Sequence, residues 1–216
     1  MILALETSSL VCGASLHEGD ECIAEKFLYE PKVHAEKLVS LVAGLFEEQL
    51  IRVNKLGAVV VSSGPGSFTG LRIGMSFAKG FVYPDKIPLG TVNTMQAFIA
   101  GTMDKTDPEK TLWVIRSHRD LVYSAQFRDP ISAIDIHYGS IGDLSAWYPD
   151  CKHVISNTDL ELTGNISVIT EKILPSFIGH YYNRYLSGSA TNDYDSLVLE
   201  YGMEYRPKEW KSEHSV

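Results

Sequence analysis

The sequence predicts an α/β protein in two lobes, on three observations. Strand-like and helix-like stretches alternate from residue 2 to residue 103. The run KLGAVVVSS (55 to 63) is rich in β-branched residues without polar alternation, which reads as a strand buried on both faces of a helix-covered sheet. The stretch DKTDPEKT (104 to 111) is charged, holds one proline and no apolar residue, and the pattern changes after it. These bounds give an N-terminal lobe over 1–103 and a smaller C-terminal lobe over 112–216.

ILALETS (2 to 8) reads as a first strand, and VCGASLHEGDECIAEKFL (11 to 28) as two strands folded at the Glu18-Gly19-Asp20 turn signal. PKVHAEKLVSLVAGLFEEQLI (31 to 51) is helical. Leu38, Leu41, Val42, Leu45 and Gln49 recur at three and four, and Val39, Phe46 and Leu50 widen the stripe. Pro31 stands near its start, where a missing N–H costs little. After the strand at 55–63 comes a glycine-rich loop and a helix from about 69 to 82, capped by Ser67 or Thr69. IPLGTV (87 to 92) is a short strand, and NTMQAFIAGTM (93 to 103) a helix with Asn93 as its N-cap. Beyond the linker, LWVIRS and DLVYSAQF form a hairpin. IDIHYG, KHVISN and NISVIT are short strands, and EKILPSFIGHYYNRYLS (171 to 187) is a helix with Pro175 in its first turns. The tail from Asp193 starts ordered and ends polar.

Composition bounds the function. Of 216 residues, 44% are hydrophobic and 21% charged, as in an ordinary globular protein, and no apolar run reaches the roughly 18 residues that would cross a bilayer. MILALETSSL has no basic region before its apolar residues, so it is not a signal peptide. Three cysteines without a CxxC pair fit a reducing cytosol. The net charge is −8 and the Lys and Arg are scattered, whereas a chain that grips nucleic acid alone carries a basic face. Any RNA must be held through another subunit.

The stretch SSGPGSFTGLRIGMSFAKG (62 to 80) resembles a phosphate loop but matches neither common fingerprint. Its first three glycines, 64, 66 and 70, are spaced G-x-G-x-x-x-G, and no glycine precedes a Lys as in G-x-x-x-x-G-K-[ST]. An anion nest at the helix N-terminus stays open. Gly66, Gly70, Gly74 and Ala78 recur every four residues, which gives a helix face almost without side chains. Glycine inside a helix costs roughly 1 kcal/mol against alanine, a cost that makes sense where another backbone comes close. That backbone is either this chain's own or a partner's, with the 31–51 helix alongside.

SSGPGSFTGLRIG resembles the signature of the TsaB (YeaZ) family, accessory subunits of the bacterial machinery for threonylcarbamoyladenosine in tRNA. ILALETS resembles that family's I-L-A-[IL]-[DE]-T-S, HAEKLVSLV (34 to 42) its H-S-E-x-L helix, and IPLGTVNTMQAF its L-P-L-x-G-V-S-T-L-x-A. The match runs over about the first 100 residues without gaps. It implies an actin-like, sugar-kinase-like (ribonuclease H-like) fold of two βββαβα-type halves, the second reduced. It also implies a cytoplasmic, non-catalytic scaffold, with no membrane contact, that binds a TsaD-like catalytic subunit in a complex with a TsaE-like ATPase. That complex transfers threonylcarbamoyl to adenosine 37 of tRNA, and tRNA is met only through it. Alone, the chain pairs with itself as a homodimer. The partner interface expected from the resemblance and the glycine face comprises His34, Leu38, Leu41, Val42, Leu45, Gly66, Phe68, Thr69, Gly70, Arg72, Gly74 and Ala78.

The second half departs from the family. Where the family has D-A-R-x-x-E-V-Y, residues 116 to 123 read RSHRDLVY; LEYGMEYR (199 to 206) stands for L-E-P-L-Y-x-R. TsaD-like relatives carry a metal-binding H-x-x-x-H; here residues 34 to 38 are HAEKL, and leucine cannot ligate. The other histidines, 17, 118, 137, 153, 180 and 214, form no pair at that spacing, so no metal is expected. Nucleotide binding of the actin-like kind needs a phosphate turn in each half. Glu6, Thr7 and Ser8 supply one candidate, with a tight turn between strands as the competing reading; the second would fall at IRSHRD, which has no glycine. No cofactor is therefore expected on the isolated chain, and ATP or ADP belongs to the complex. The alternatives are an ATP-binding enzyme of actin-like fold with a degenerate site and a glycoprotease-like peptidase. For the latter, neither G-x-S-x-G nor H-E-x-x-H occurs, and Ser67 has no evident base.

Overall fold

Residues 1–129, 134–162, 164 and 166–202 are described here in a computed structural model of the chain. Strands β1 (Ile2–Glu6), β2 (Val11–Glu18) and β3 (Glu21–Tyr29) form an antiparallel meander. The β2–β3 hairpin turns at Gly19, whose φ of +58° suits a residue without a Cβ. Strand β4 (Ala58–Gly64) runs parallel to β1, and β5 (Leu89–Asn93) parallel to β4, giving the order β3-β2-β1-β4-β5.

Side chains of β1 alternate between two cores, as the pleat requires. Leu3 and Leu5 meet helices α1 (His34–Gln49) and α2 (Phe68–Val82) through Leu38, Val42, Leu45, Met75 and Val82. Ile2 and Ala4 face the other way, toward Ile178 and Tyr181 of a C-terminal helix. Helix α3 (Thr94–Thr102) starts at Asn93, whose side chain accepts from the Gln96 N–H as expected.

Strands β6 (Thr111–Arg116), β7 (Leu121–Gln126), β8 (His137–Ser140), β9 (His153–Ser156) and β10 (Ser167–Thr170) build a second sheet in the order β10-β9-β6-β7-β8. Matched strand for strand, it repeats the first sheet. An antiparallel meander is followed by two strands added in parallel beside its first. Helix α4 (Leu144–Trp147) takes the place of α1, with only four residues, and α5 (Pro175–Tyr181) the place of α3. Among the described residues no helix joins β9 to β10, so this half is the reduced one. Helix α3 contacts the second sheet: Met95, Phe98 and Ile99 pack on Trp113, Ile115 and Ile155, and the Trp113 indole donates to Thr102 Oγ1 (2.9 Å).

Residues 104–111 hold two 3₁₀ turns, Met103–Lys105 and Pro108–Lys110, and run directly into β6. Strands of the first sheet come from residues 2–93 and those of the second from 111–170, while α5 and residues 194–199 return to the first sheet and its helices. Two element boundaries need correction. The helix expected over 171–187 begins at Pro175, because the residue before proline, Leu174, is held extended; beyond Tyr181 it widens into a π-helical turn through Leu186. The strand expected from Lys55 begins at Ala58, since Val53–Lys55 form a 3₁₀ turn. The polar end of the tail, 203–216, lies outside the described residues.

Candidate functional site in the cleft between the two sheets

The glycine-rich loop leaves β4 at Gly64, which has φ +114° and a cis bond to Pro65. Ser67 then caps α2, its hydroxyl accepting from the Gly70 N–H (3.2 Å). The glycine face of α2 points inward. A Cβ on Gly70 would lie 2.0 Å from the Thr7 carbonyl oxygen, and one on Gly74 would lie 2.2 Å from Thr7 Oγ1. The expectation that Gly66, Gly70, Gly74 and Ala78 offer a groove to a second chain is therefore corrected. All four are buried, and the backbone that comes close is this chain's own turn between β1 and β2.

That turn is closed on itself. Glu6 is fully buried, and its Oε1 accepts both the N–H and the hydroxyl of Ser8 (2.6 and 2.5 Å). The Ser8 carbonyl accepts from the Ser67 N–H (2.6 Å). Burial pushes the Glu6 carboxyl up to about 7, partly offset by the bonds from Ser8. Glu6 Oε2 and Thr7 Oγ1 are buried without a hydrogen-bond partner. The groups at Glu6, Thr7 and Ser8 that a phosphate would need are spent on each other or enclosed under α2. The segment makes a tight turn between β1 and β2, with Ser8 at the edge of a cleft.

Facing this turn is its counterpart in the second sheet, the β6–β7 turn. The two bound a cleft of about 760 Å³. Its near wall is Ser8, Ser9 and Leu10, then Pro31, Lys32, His34 and Ala35 around the start of α1, and Ser67, Thr69, Gly70 and Ile73 at the start of α2. Its far wall is Arg116, Ser117, His118, Arg119, Asn157 and Thr158. Asn157 is buried at the end of β9 and fixes the far wall, its Oδ1 accepting from the Arg116 N–H (2.8 Å). Arg116 Nη2 donates to the Arg119 carbonyl, and Arg119 takes a positive φ (+57°). A second recess of about 820 Å³ adjoins the cleft through Ser67, Thr69, Ser117 and His118. Tyr201 closes part of it, stacking on Phe68 (4.8 Å between ring centres) with its hydroxyl taking a bond from Arg72 Nε (3.1 Å).

The structure scatters the expected interface residues. His34, Leu38, Val42 and Leu45 are buried toward the sheet, and His34 Nε2 donates to the Val11 carbonyl (3.1 Å). A lone histidine on a helix suggests a surface group; here it ties α1 to β2. Leu41 is half-buried. Only Phe68, Thr69 and Arg72 of that set are exposed. Beyond that set, these helices expose Val39 (59% exposed) and Ala43 on α1 and, on α2, Gly80, where an added Cβ would meet open space; Ile73 and Phe77 are half-buried against the core. The two helices touch through Phe46 and Phe81 (6.1 Å between ring centres). In the sequence Val39 stands only as a widening of the α1 stripe, so it is not among the interface residues expected. RSHRD stands there only for what it lacks. The run of cations was the signal for the far wall; Asn157 carried none.

The family model described as TsaD, tRNA N6-adenosine threonylcarbamoyltransferase, matches residues 30–146. The tRNA threonylcarbamoyladenosine biosynthesis protein TsaB of Bacillus subtilis is 34% identical over 99 residues, 46% of this chain and 43% of that one. The protein of the same name from Escherichia coli is 27% identical over 127 residues, 59% of this chain and 54% of that one. The chain thus spans about half the length of the curated relatives it matches. Among solved structures, YeaZ from Pseudomonas aeruginosa superposes with a TM-score of 0.73 at 17% identity, over 93% of this chain and 98% of that one. The two repeated sheets are those of the actin-like, sugar-kinase-like fold.

Proposed function

The chain belongs to the TsaB (YeaZ) family, and from that membership we propose that it is a non-catalytic subunit that binds a TsaD-like catalytic subunit. On this reading it supports threonylcarbamoyl transfer to adenosine 37 of tRNA in the cytoplasm, in a complex with a TsaE-like ATPase. The observation that carries it is the outer strip of α1 and α2. Exposed Val39 and Ala43 on α1, and the open space at Gly80 on α2 beside half-buried Phe77, leave room for the helices of another chain to approach closely. Four helices, two from each chain, would make the contact. In isolation the same strip would pair with itself, giving a homodimer in competition with the heterocomplex.

Two further features support a scaffold over a nucleotide-driven enzyme. Both donors of Ser8 in the turn at Glu6–Ser8 are taken by Glu6 Oε1, and the net charge of −8 leaves tRNA to other subunits. Reconstitution tests the reading. A TsaD-like subunit with its ATPase partner, threonylcarbamoyl adenylate and tRNA should modify adenosine 37 only when this chain is added. Equal modification without the chain, or modification by the chain alone, would overturn the proposal.

A further inference from the structure

The outer face of the second sheet is short of a helix. In the first sheet, the outward side chains Leu3, Leu5, Val59 and Val61 lie under two long helices, α1 and α2. Matched strand for strand, their counterparts are Leu112 and Val114 of β6 and Val154 of β9. These meet Leu144 of the four-residue α4 and, from the connection between β9 and β10, Leu160 and Leu162. Among the described residues of that connection there is no helix, so none fills the place that α2 holds in the first half. A recess of about 160 Å³ opens there. Leu112, Leu144, Tyr148 and Val154 line it, and the exposed Ser145 and Glu161 stand at its mouth.

Size and charge say what fits. Sites for cofactors and other small molecules run from about 300 Å³ upward, so this recess is too small for one. A cavity of about 150 Å³ with apolar walls holds a benzene ring, which makes a phenylalanine side chain a match. Residues 141–162 carry Asp143, Asp150, Asp159 and Glu161 against one lysine, Lys152. All four acids are exposed, and none is in an ion pair among the described residues. The helix that holds the equivalent place in the first half, α2, carries Arg72 and Lys79 and no acid. We propose that the recess seats a phenylalanine-sized apolar anchor from an amphipathic helix of a partner protein, with Lys or Arg flanking the anchor, so that a helix supplied in trans completes the outer layer of the second sheet. The buried anchor carries the affinity, and the acidic rim sets the orientation and the choice of partner. This surface lies on the second sheet, apart from α1 and α2, and does not rest on the partner reading above.

Fluorescence anisotropy of labelled, hydrocarbon-stapled helical peptides against the full chain tests it. The first peptide has leucines one turn either side of a central phenylalanine and lysines on its other faces. A second has glutamates for the lysines, and a third has alanine for the phenylalanine. Three variants go with the wild type: Ser145→Phe, which puts a bulky ring at the mouth, Glu161→Lys, and Glu47→Lys, the same charge change on α1. All three positions are exposed, and circular dichroism checks that each variant is folded. The proposal expects saturable binding of the lysine peptide, about tenfold or more weaker with Ser145→Phe, with glutamates or with the alanine. Glu161→Lys should weaken it roughly threefold, as a rim charge does, and Glu47→Lys not at all. No binding of the lysine peptide, binding that Ser145→Phe retains, equal binding of the glutamate or alanine peptide, or equal loss with Glu161→Lys and Glu47→Lys would each overturn it. A dimer of the chain alone that Ser145→Phe abolishes in sedimentation would assign the face to a second copy and overturn it equally.

Discussion

Glu6 and His17 are buried ionisable groups whose shifts run in opposite senses, and their pH dependence can be separated. Glu6 is pushed up from 4.5 to about 7 by burial. Across that interval the folded chain keeps a proton that the unfolded chain has released, so this group makes stability fall as pH rises. His17 is pushed down from 6.5 to about 4 by burial and by the neighbouring His180, whose ring lies 4.9 Å away. There the unfolded chain takes a proton that the folded chain refuses, so this group makes stability fall as pH drops. Between pH 4.5 and 6.5 the two slopes oppose each other. Glu6→Gln keeps an acceptor for Ser8 and removes one slope. Urea denaturation of both proteins should show the stability difference, wild type minus variant, falling with rising pH from 4.5 to 7, by up to about 1.4 kcal/mol per unit. A difference that does not change with pH would mean that Glu6 is ionised in the fold.

Helix α2 carries three glycines that read alike in the sequence and differ in the fold. Alanine is favoured over glycine inside a helix by roughly 1 kcal/mol. At Gly80 nothing opposes that preference, so Gly80→Ala should raise the urea midpoint by an amount equivalent to at most about 1 kcal/mol. At Gly70 and Gly74 the new methyl meets Thr7, in the first case its backbone, so Gly70→Ala and Gly74→Ala should lower stability by about 1 to 3 kcal/mol despite the better propensity. Equal effects at all three positions would contradict the inward-facing glycine surface. The four-residue spacing showed that some backbone must approach this face; it could not show whose. The difference is long-range: Thr7 lies about 60 residues upstream of Gly70, and only the β1–β4 pairing brings its turn under α2. Elements with a local signature were legible in the sequence, including the Asn93 and Ser67 caps and the hairpin of β6 and β7. Helix α5 was displaced because Pro175 holds Leu174 extended, a restriction weaker in the sequence than the apolar period around it.

At the scale of the molecule, one strand order occurs twice without a legible sequence repeat, so the same architecture is carried by different residues. The second copy has shortened α1's counterpart to four residues and shows no counterpart of α2 among those described. The long outer helices therefore belong to the first half alone, and a partner surface built on them is one-sided. The chain's end reinforces this asymmetry. Glu200 N–H bonds the Ser63 carbonyl of the first sheet (2.8 Å), and Tyr123 of the second bonds the Tyr201 carbonyl (2.9 Å), so residues 200–201 strap the halves together beside α2. The cleft cations were present in the sequence as RSHRD, but their meeting with Lys32 depends on two turns from opposite halves.

The central claim is that the outer strip of α1 and α2 receives a TsaD-like subunit, and the affinity of that subunit for Val39→Glu tests it most directly. Val39 is exposed in the isolated chain, so a carboxylate there should leave the fold intact by circular dichroism. Buried unpaired in an apolar contact it should weaken binding by about tenfold or more, while Lys152→Glu on the second half should bind as the wild type does. Unchanged affinity for Val39→Glu, in protein that is folded, would place the partner elsewhere and contradict the account.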